Sequence, residues 1–289
     1  MPKSAKQATY EQQPNYTQAI IESAIKSPSA NSFVWLVAED VDDARVYGRM
    51  YDSSIVKAFP STDEQGRRSC TNVERIVGHF VRGNKSKRVI GIRDKDYTSF
   101  IGHSVCPPVF TTDERDVEMQ MLISPGVVSK MSGMCPRIQS LQQPIIVFLT
   151  RMGCYRIFND ENNFGFCFDG CLGCYWDYGK KAPKKKWENS FKRKFYQEIK
   201  NRTSWDEKKM GREFGRMYSS KCLCNKPYSE ICQGHDFVSL LKTQVNSIFD
   251  QLDKDLFEWY LIDDFKNTRL ARDIQDWATQ NGFAMPYRI

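Results

Sequence analysis

The sequence predicts an α/β protein: a parallel sheet flanked by helices, followed by a mainly helical C-terminal region. In residues 33–125, short apolar runs alternate with segments of helical periodicity, and this alternation is typical of βαβ units. Residues 126–289 lose the alternation and become more basic. We therefore divide the chain into an N-terminal arm and helix (1–32), an α/β domain (33–125) and a C-terminal helical, basic region (126–289).

The apolar runs place the strands of the α/β domain. The run from Phe33 to Ala38 has no polar residue, which favours a buried strand of a parallel sheet. The further predicted strands are 54–59, 88–92 and 109–111. The predicted helices are 16–26, 44–51, 72–82 and 113–123, the last capped by Asp113.

The C-terminal region carries fewer strand signals. The apolar run 144–150 predicts one more strand. Helical patterns occupy 236–249, 253–259 and 268–280.

Composition excludes several classes of protein. A chain of 289 residues with 40% hydrophobic and 13% aromatic residues can build a large core, which excludes a disordered or fibrous protein. The apolar runs are too short to span a bilayer, and the polar N-terminus has no signal-peptide pattern. We therefore expect a cytoplasmic protein without a membrane partner, whose ten cysteines are thiols or metal ligands.

The net charge is uneven along the chain. Residues 1–125 contain 16 basic and 16 acidic side chains, so residues 126–289, with 26 and 19, carry the whole net charge of +7. The asymmetry indicates chemistry with acids in one half and contact with a polyanion in the other.

Acidic residues follow the predicted strands. Glu39 follows the first strand, Asp94 and Asp96 follow the third, and Glu118 lies beyond the fourth. Because parallel strands end at one edge of a sheet, these carboxylates converge and require a hard divalent cation, Mg²⁺ or Mn²⁺. This donor set predicts metal-assisted phosphodiester chemistry. The predicted catalytic residues are Glu39, Asp94 and Asp96, and the predicted metal ligands are Glu39, Asp43, Asp94, Asp96 and Glu118.

At these residues the chain resembles a known fold. Glu39 after one strand, with Asp94-x-Asp96 after a later one, looks like a Toprim domain, and the Glu39-x-x-x-Asp43 spacing is similar to overcoming-lysogenization-defect Toprim nucleases. With three further segments, the chain also resembles a Toprim-like domain-of-unknown-function family that includes the nuclease effector of the PARIS anti-phage system. Those segments are 91–97, 111–118 and 234–237.

The resemblance, which covers 33–125 well and the remainder patchily, carries functional implications. It implies a toxic effector nuclease of anti-phage defence, held inactive by an ABC-type ATPase partner and cleaving tRNA on release. A homodimer is left open. One departure concerns Asp40, where Toprim proteins often have glycine. Its side chain either crowds the metal or adds a ligand.

The cysteines permit two interpretations. Cys171 and Cys174, with Cys222 and Cys224 about fifty residues later, offer four ligands for a structural Zn²⁺. The alternative is that they are ordinary thiols without a metal.

A basic run between residues 180 and 202 predicts a nucleic-acid-binding surface. Ten Lys and Arg residues are interleaved with aromatic residues that share one helical face, which we expect to pack inward while the cations project outward. A solvated surface helix and a docking face for the ATPase are the alternatives. The predicted nucleic-acid-binding residues are Lys184, Lys185, Lys186, Lys192, Arg193 and Lys194.

A second motif is Gly234-His235-Asp236. Asp236 is expected to cap the helix that follows, and we leave His235 out of the catalytic residues.

Two rivals to an RNA-cleaving enzyme stay open at this point. DNA nicking is the rival within the class, because Toprim nucleases as a group favour DNA. A non-catalytic regulatory or sensor subunit is the rival outside it, and the clustered carboxylates argue against that alternative.

Overall fold

The structure is a computed structural model that describes residues 16–27, 32–63, 65–83, 86–245, 249 and 251–288. The predicted arm therefore lies mostly outside the described residues. The chain forms two compact units. The first, here the sheet unit, comprises residues up to 94, 105–113 and those from 260 onward. The second, here the helical unit, comprises 95–104 and 114–259.

The secondary structure elements follow in chain order. They are α1 (Tyr16–Ile25), β1 (Val34–Ala38), α2 (Val41–Met50), β2 (Val56–Pro60), α3 (Cys70–Arg82), β3 (Val89–Arg93), α4 (Thr98–Ile101), β4 (Val109–Thr111), α5 (Val117–Leu122), α6 (Pro125–Met134), α7 (Ile138–Glu161), α8 (Cys171–Tyr175), β5 (Trp176–Asp177), β6 (Ala182–Pro183), α9 (Trp187–Arg202), α10 (Glu207–Ser220), a 3₁₀ turn (Leu223–Asn225), α11 (Tyr228–Ile231), α12 (Gly234–Val245), α13 (Leu252–Trp259), α14 (Ile262–Lys266) and α15 (Arg269–Gln280).

The sheet unit confirms the predicted α/β architecture. Its four strands are parallel in the order β2-β1-β3-β4, and all five residues of β1 are buried. Ala38 on β1 pairs with Ile92 on β3, so these neighbouring strands end at the same edge. Gly91 allows α3 to pack closely on β3, because a β-carbon there would lie 2.6 Å from Val73 Cγ1.

Residues from 260 onward complete the sheet unit, although the sequence analysis grouped them with the helical region. Tyr51 forms an antiparallel bridge with Tyr287, and their rings stack 5.4 Å apart. The Asp113 carboxylate accepts hydrogen bonds from the backbone N–H groups of Arg269 and Leu270, at 2.6 and 2.8 Å.

The predicted role of Asp113 was therefore wrong. Helix α5 begins only at Val117, and its N-cap is Asp116, whose carboxylate accepts from the Met119 N–H at 2.9 Å. Asp113 instead binds the first turn of α15, which is distant in sequence.

The helical unit is organised around α7, a 24-residue helix that includes the predicted strand 144–150. That strand prediction was wrong because the apolar run continues at helical spacing: Ile145, Phe148 and Met152 are fully buried, whereas Val147 is 66% exposed. A short apolar run alone does not separate a strand from a buried helical turn.

Aromatic rings fill the space between α7 and the two helices that follow the central loops. Tyr155 of α7 stacks on Phe214 of α10, with ring centroids 4.6 Å apart, and contacts Phe191 of α9 at 4.9 Å. Phe158 contacts Phe195 and Phe214 in the same way. This packing fixes which faces of α9 and α10 point outward.

In the described ranges, no helix combines the length and apolar character needed to cross a bilayer. The three late helices predicted from periodicity are present as α12, α13 and α15, and residues 246–248 of the first prediction lie outside the description.

Candidate metal centre and nucleic-acid surface

The carboxyl edge of the sheet brings Glu39 and Asp94 together. Glu39 follows β1 and Asp94 follows β3, the neighbouring parallel strand. The Asp94 backbone N–H donates to Glu39 Oε2, with an N···O distance of 3.4 Å. Both residues are half-buried. This contact lies at the edge where the sequence predicts that the strand ends converge.

A buried serine fixes the backbone that carries Glu39. Ser61, fully buried just after β2, donates its hydroxyl to the Glu39 carbonyl oxygen at 2.8 Å and also contacts the Ser69 carbonyl oxygen at 3.1 Å. Three segments, the ends of β1 and β2 and the start of α3, therefore meet at one hydroxyl.

Cys70 is a neighbour of Glu39 that the sequence analysis did not select. It is the first residue of α3, is half-buried, and its Sγ lies within 4.8 Å of a Glu39 carboxylate oxygen. It belongs to no metal-binding cysteine motif, so the only signal was the N-cap pattern at Ser69. The edge thus offers a soft donor beside hard carboxylates.

Asp40 and Asp43 form a capping box at the start of α2. Asp40 Oδ1 accepts from the N–H groups of Asp42 and Asp43 at 2.8 and 3.0 Å, and Asp43 Oδ2 accepts from the Asp40 N–H at 3.3 Å. Asp40 is therefore occupied as an N-cap. Asp43 is buried, and this reciprocal bond holds its carboxylate.

Tyr47 lies one helical turn beyond Asp43. Its side chain is 1% exposed, and its hydroxyl has no hydrogen-bond partner among the described residues. Burial raises the pKa of the Tyr47 phenol well above its ordinary value, and the negative charges of Asp43 and Asp94 raise it further. The hydroxyl therefore keeps its proton.

Asp96 and Glu118 belong to the helical unit. Asp96 adopts a positive φ of 47°, its N–H donates to the Arg115 carbonyl oxygen at 2.8 Å, and its carboxylate lies 3.6 Å from Arg115 Nη2. Covalent geometry alone keeps its Cα within about 7 Å of that of Asp94. Glu118 lies in the first turn of α5, half-buried.

The basic helix α9 has the two faces that its sequence predicts. Phe191, Phe195, Tyr196 and Ile199 are buried, which confirms the inward aromatic face. The cations on the other face are exposed. They are Lys192, Arg193, Lys194 and Lys200.

The predicted lysines before α9 differ from one another. Lys185 and Lys186 are exposed in the turn that leads into the helix. Lys184 Nζ instead donates to the carbonyl oxygens of Gly173 and Cys174 at the end of α8, at 3.3 and 2.7 Å. Lys184 therefore has a structural contact that its neighbours lack.

Helix α10 adds cations that the sequence analysis passed over. Lys208, Arg212 and Arg216 are exposed, and Lys209 Nζ lies 4.2 Å from the Trp205 ring centroid. Glu213 pairs with both arginines, at 3.3 and 2.5 Å. The signal available in the sequence was the spacing of four cations over nine residues, 208–216.

The structure does not assemble the four cysteines considered for zinc. Among the described residues, no three of Cys171, Cys174, Cys222 and Cys224 offer sulfur atoms within ligand distance of one another. Cys171 is buried, and burial raises the pKa of its thiol to about 11, whereas the other three are exposed.

The Gly234–Asp236 motif opens α12. The helix begins at Gly234 itself, so Asp236 lies in its first turn and is not its N-cap, as had been predicted. The Asp236 carboxylate pairs with Arg156 of α7 at 2.7 Å, and His235 is exposed. Gly234 is required by space, because a β-carbon there would lie 2.3 Å from Asp116 Oδ1.

Comparison of the chain with protein-family models, with curated proteins and with solved structures finds no match in any of the three.

Proposed function

We propose that this protein is a divalent-metal-dependent phosphodiester hydrolase that cleaves nucleic acid at the carboxyl edge of its sheet. The observation that carries the proposal is the pairing of Glu39 with Asp94 across the adjacent strands β1 and β3. Half-buried carboxylates at this position are expensive unless a cation compensates them.

Glu39, Asp94 and Asp96 are the proposed metal-binding and catalytic residues. A bound Mg²⁺ or Mn²⁺ supplies the charge that stabilises the attacking and leaving oxygens of a phosphodiester. The Asp94 N–H and the Ser61 hydroxyl orient Glu39, so that its carboxylate is positioned before any ligand arrives. Cys70 is a neighbouring donor that tunes which metal is preferred.

The exposed cations of α9 and α10 are the proposed substrate-holding surface. Eight basic side chains are exposed on these two packed helices, Arg202 at the end of α9 among them. Such a high density of positive charge suits a phosphate backbone better than a flat protein partner. The family resemblance favours RNA, tRNA in particular, over DNA. It also leads us to propose an ABC-type ATPase as the partner that restrains the enzyme during anti-phage defence.

The test compares Glu39→Gln with Asp42→Asn. Asp42 is an acidic residue of the neighbouring turn that points to solvent and pairs with Arg45 at 3.0 Å, so its variant controls for charge loss alone. We expect Glu39→Gln to lose cleavage of tRNA and supercoiled plasmid by about 100-fold or more, together with Mn²⁺ binding measured by electron paramagnetic resonance. Asp42→Asn should match the unmodified protein.

The two substrates separate the alternatives. Cleavage of tRNA with an intact plasmid supports the ribonuclease, and the reverse result supports DNA nicking. Full activity of Glu39→Gln would overturn the assigned site. Absence of both metal binding and cleavage in the unmodified protein would leave the regulatory subunit as the better description.

A further inference from the structure

Two buried tyrosines on the same stretch of chain each have a hydroxyl without a partner. Tyr47 is 1% exposed and Tyr51 is fully buried, and neither hydroxyl has a hydrogen-bond partner among the described residues. A buried hydroxyl in a folded protein nearly always has a partner, so an unpaired one marks a strained site or a missing water or ion.

The surroundings of the two hydroxyls differ. Tyr47 lies four residues after Asp43, on the same face of α2, and the charges of Asp43 and Asp94 both act on it. The groups acting on Tyr51 are other phenols, those of Tyr260 and Tyr287. Only Tyr47 therefore adjoins the proposed metal edge.

The chemistry of a phenol limits what the missing partner is. An apolar occupant leaves the Tyr47 hydroxyl unsatisfied, and a bare cation contacts only its oxygen and leaves the hydroxyl hydrogen without an acceptor. A water molecule that donates to the carboxylate of Asp43 or Asp94 can accept from the Tyr47 hydroxyl, and it therefore supplies the acceptor that this hydroxyl lacks.

We propose that Tyr47 is a positioning residue, whose hydroxyl donates to a water held between it and the carboxylates of Asp43 and Asp94, in the outer shell of the metal. This inference rests on the proposed function, since it assumes that the strand edge binds a metal. The burial of the Tyr47 hydroxyl without a partner and its place one helical turn from Asp43 support it. Tyr47 touches no substrate and acts through the carboxylates.

Tyr47→Phe and Tyr51→Phe form a matched pair, because each removes one buried, unpaired hydroxyl from neighbouring turns. We expect Tyr47→Phe to weaken Mn²⁺ binding about tenfold, the lower end of outer-shell effects, and Tyr51→Phe to leave it unchanged. The turnover number of Tyr47→Phe should fall while its KM for tRNA stays constant. A purely structural role moves the melting temperature without this selective loss.

A second measurement keeps the inference falsifiable if a phenylalanine variant does not fold. The full-length protein is prepared with 3-fluorotyrosine at position 47 alone or at position 51 alone, and Mg²⁺ is added while the ¹⁹F resonance is recorded. We expect a shift at position 47 and none at position 51.

The outcomes distinguish this inference from the proposed function. Metal binding and cleavage by the unmodified protein, with equal Mn²⁺ affinity in the two phenylalanine variants or equal ¹⁹F behaviour at the two positions, overturn the role of Tyr47 alone. Failure of the unmodified protein to bind Mn²⁺ overturns both.

Discussion

The acidic edge of the sheet unit and the basic helices of the helical unit differ in how exposed their charged side chains are. Glu39 and Asp94 are half-buried, and a backbone hydrogen bond joins them. Lys192, Arg193 and Lys194 are exposed at the surface of α9, and Lys192 Nζ lies 5.3 Å from the ring centroid of the buried Tyr196 on the same helix. The acidic edge fixes the position of its carboxylates, whereas the basic helix provides only a high density of positive charge.

This difference matches two kinds of chemistry. A metal requires ligand oxygens at defined distances, so each carboxylate needs its own support. A phosphate backbone is bound through many exchangeable contacts, so flexible lysines suffice, and salt weakens their effect. We therefore expect the two regions to respond differently to ionic strength.

After substitution of the carboxylates, the largest effect is expected from the cations of α9, on the salt dependence of RNA binding. Replacing Lys192, Arg193 and Lys194 together by glutamine should lower the log–log slope of RNA affinity against salt by about 2–2.7, if each contacts one phosphate. Affinity measured from 50 to 400 mM KCl tests this, and Lys254→Gln, an exposed lysine of α13, is the control.

Loss of Mn²⁺ binding in the triple variant would contradict this separation of roles, because the acidic edge and the basic helix would then depend on each other. An unchanged slope would mean that α9 is only a solvated surface helix. If association with the proposed ABC-type ATPase falls instead, α9 would be a docking face for that partner.

A smaller effect is expected on the stability of the sheet that supports the acids. Gly91→Ala forces a β-carbon to within 2.6 Å of Val73 Cγ1, and we expect it to lower the free energy of unfolding by about 1–3 kcal/mol. Gly133→Ala on α6 meets open space and should be neutral or stabilising. Urea denaturation of both variants is the measurement. Equal stabilities would show that α3 moves away from β3 without cost.

The smallest effect is expected from Cys70. Because thiolate favours softer metals than carboxylate does, Cys70→Ser should reduce the ratio of Mn²⁺-supported to Mg²⁺-supported cleavage, on the order of fivefold, with little change in Mg²⁺ activity. Cys106→Ser, at an exposed position of the sheet unit, is the control. An unchanged ratio would show that the Cys70 thiol does not contribute to metal preference.

Much of the sheet unit was predictable because local signals agreed with the tertiary ones. The uninterrupted apolar run before Glu39 identified β1, and parallel pairing then dictated that Glu39 and Asp94 meet. The capping box was also predictable, since Asp40 and Asp43 have its spacing. The resemblance instead predicted Asp43 as a metal ligand.

Other features depended on contacts that no local pattern encodes. Cys70 reaches Glu39 only because α3 starts at the same sheet edge, and Asp113 receives α15 from more than 150 positions later in the sequence. The strand predicted at 144–150 failed because its short apolar run, 144–149, fits either element, and only the burial of Met152 and the exposure of Val147 identify it as part of a helix.

The return of residues 260–288 to the sheet has a consequence for biosynthesis. The ribosome makes β4 and then residues 114–259, the longer part of the helical unit with 146 residues, before it reaches the segment that binds Asp113 and pairs with Tyr51. At ordinary elongation rates this interval lasts roughly 7–30 s. The strand-edge carboxylates therefore lie on an incomplete unit throughout that time, and a toxic activity seated there would arise only after the late segment has been translated and has docked.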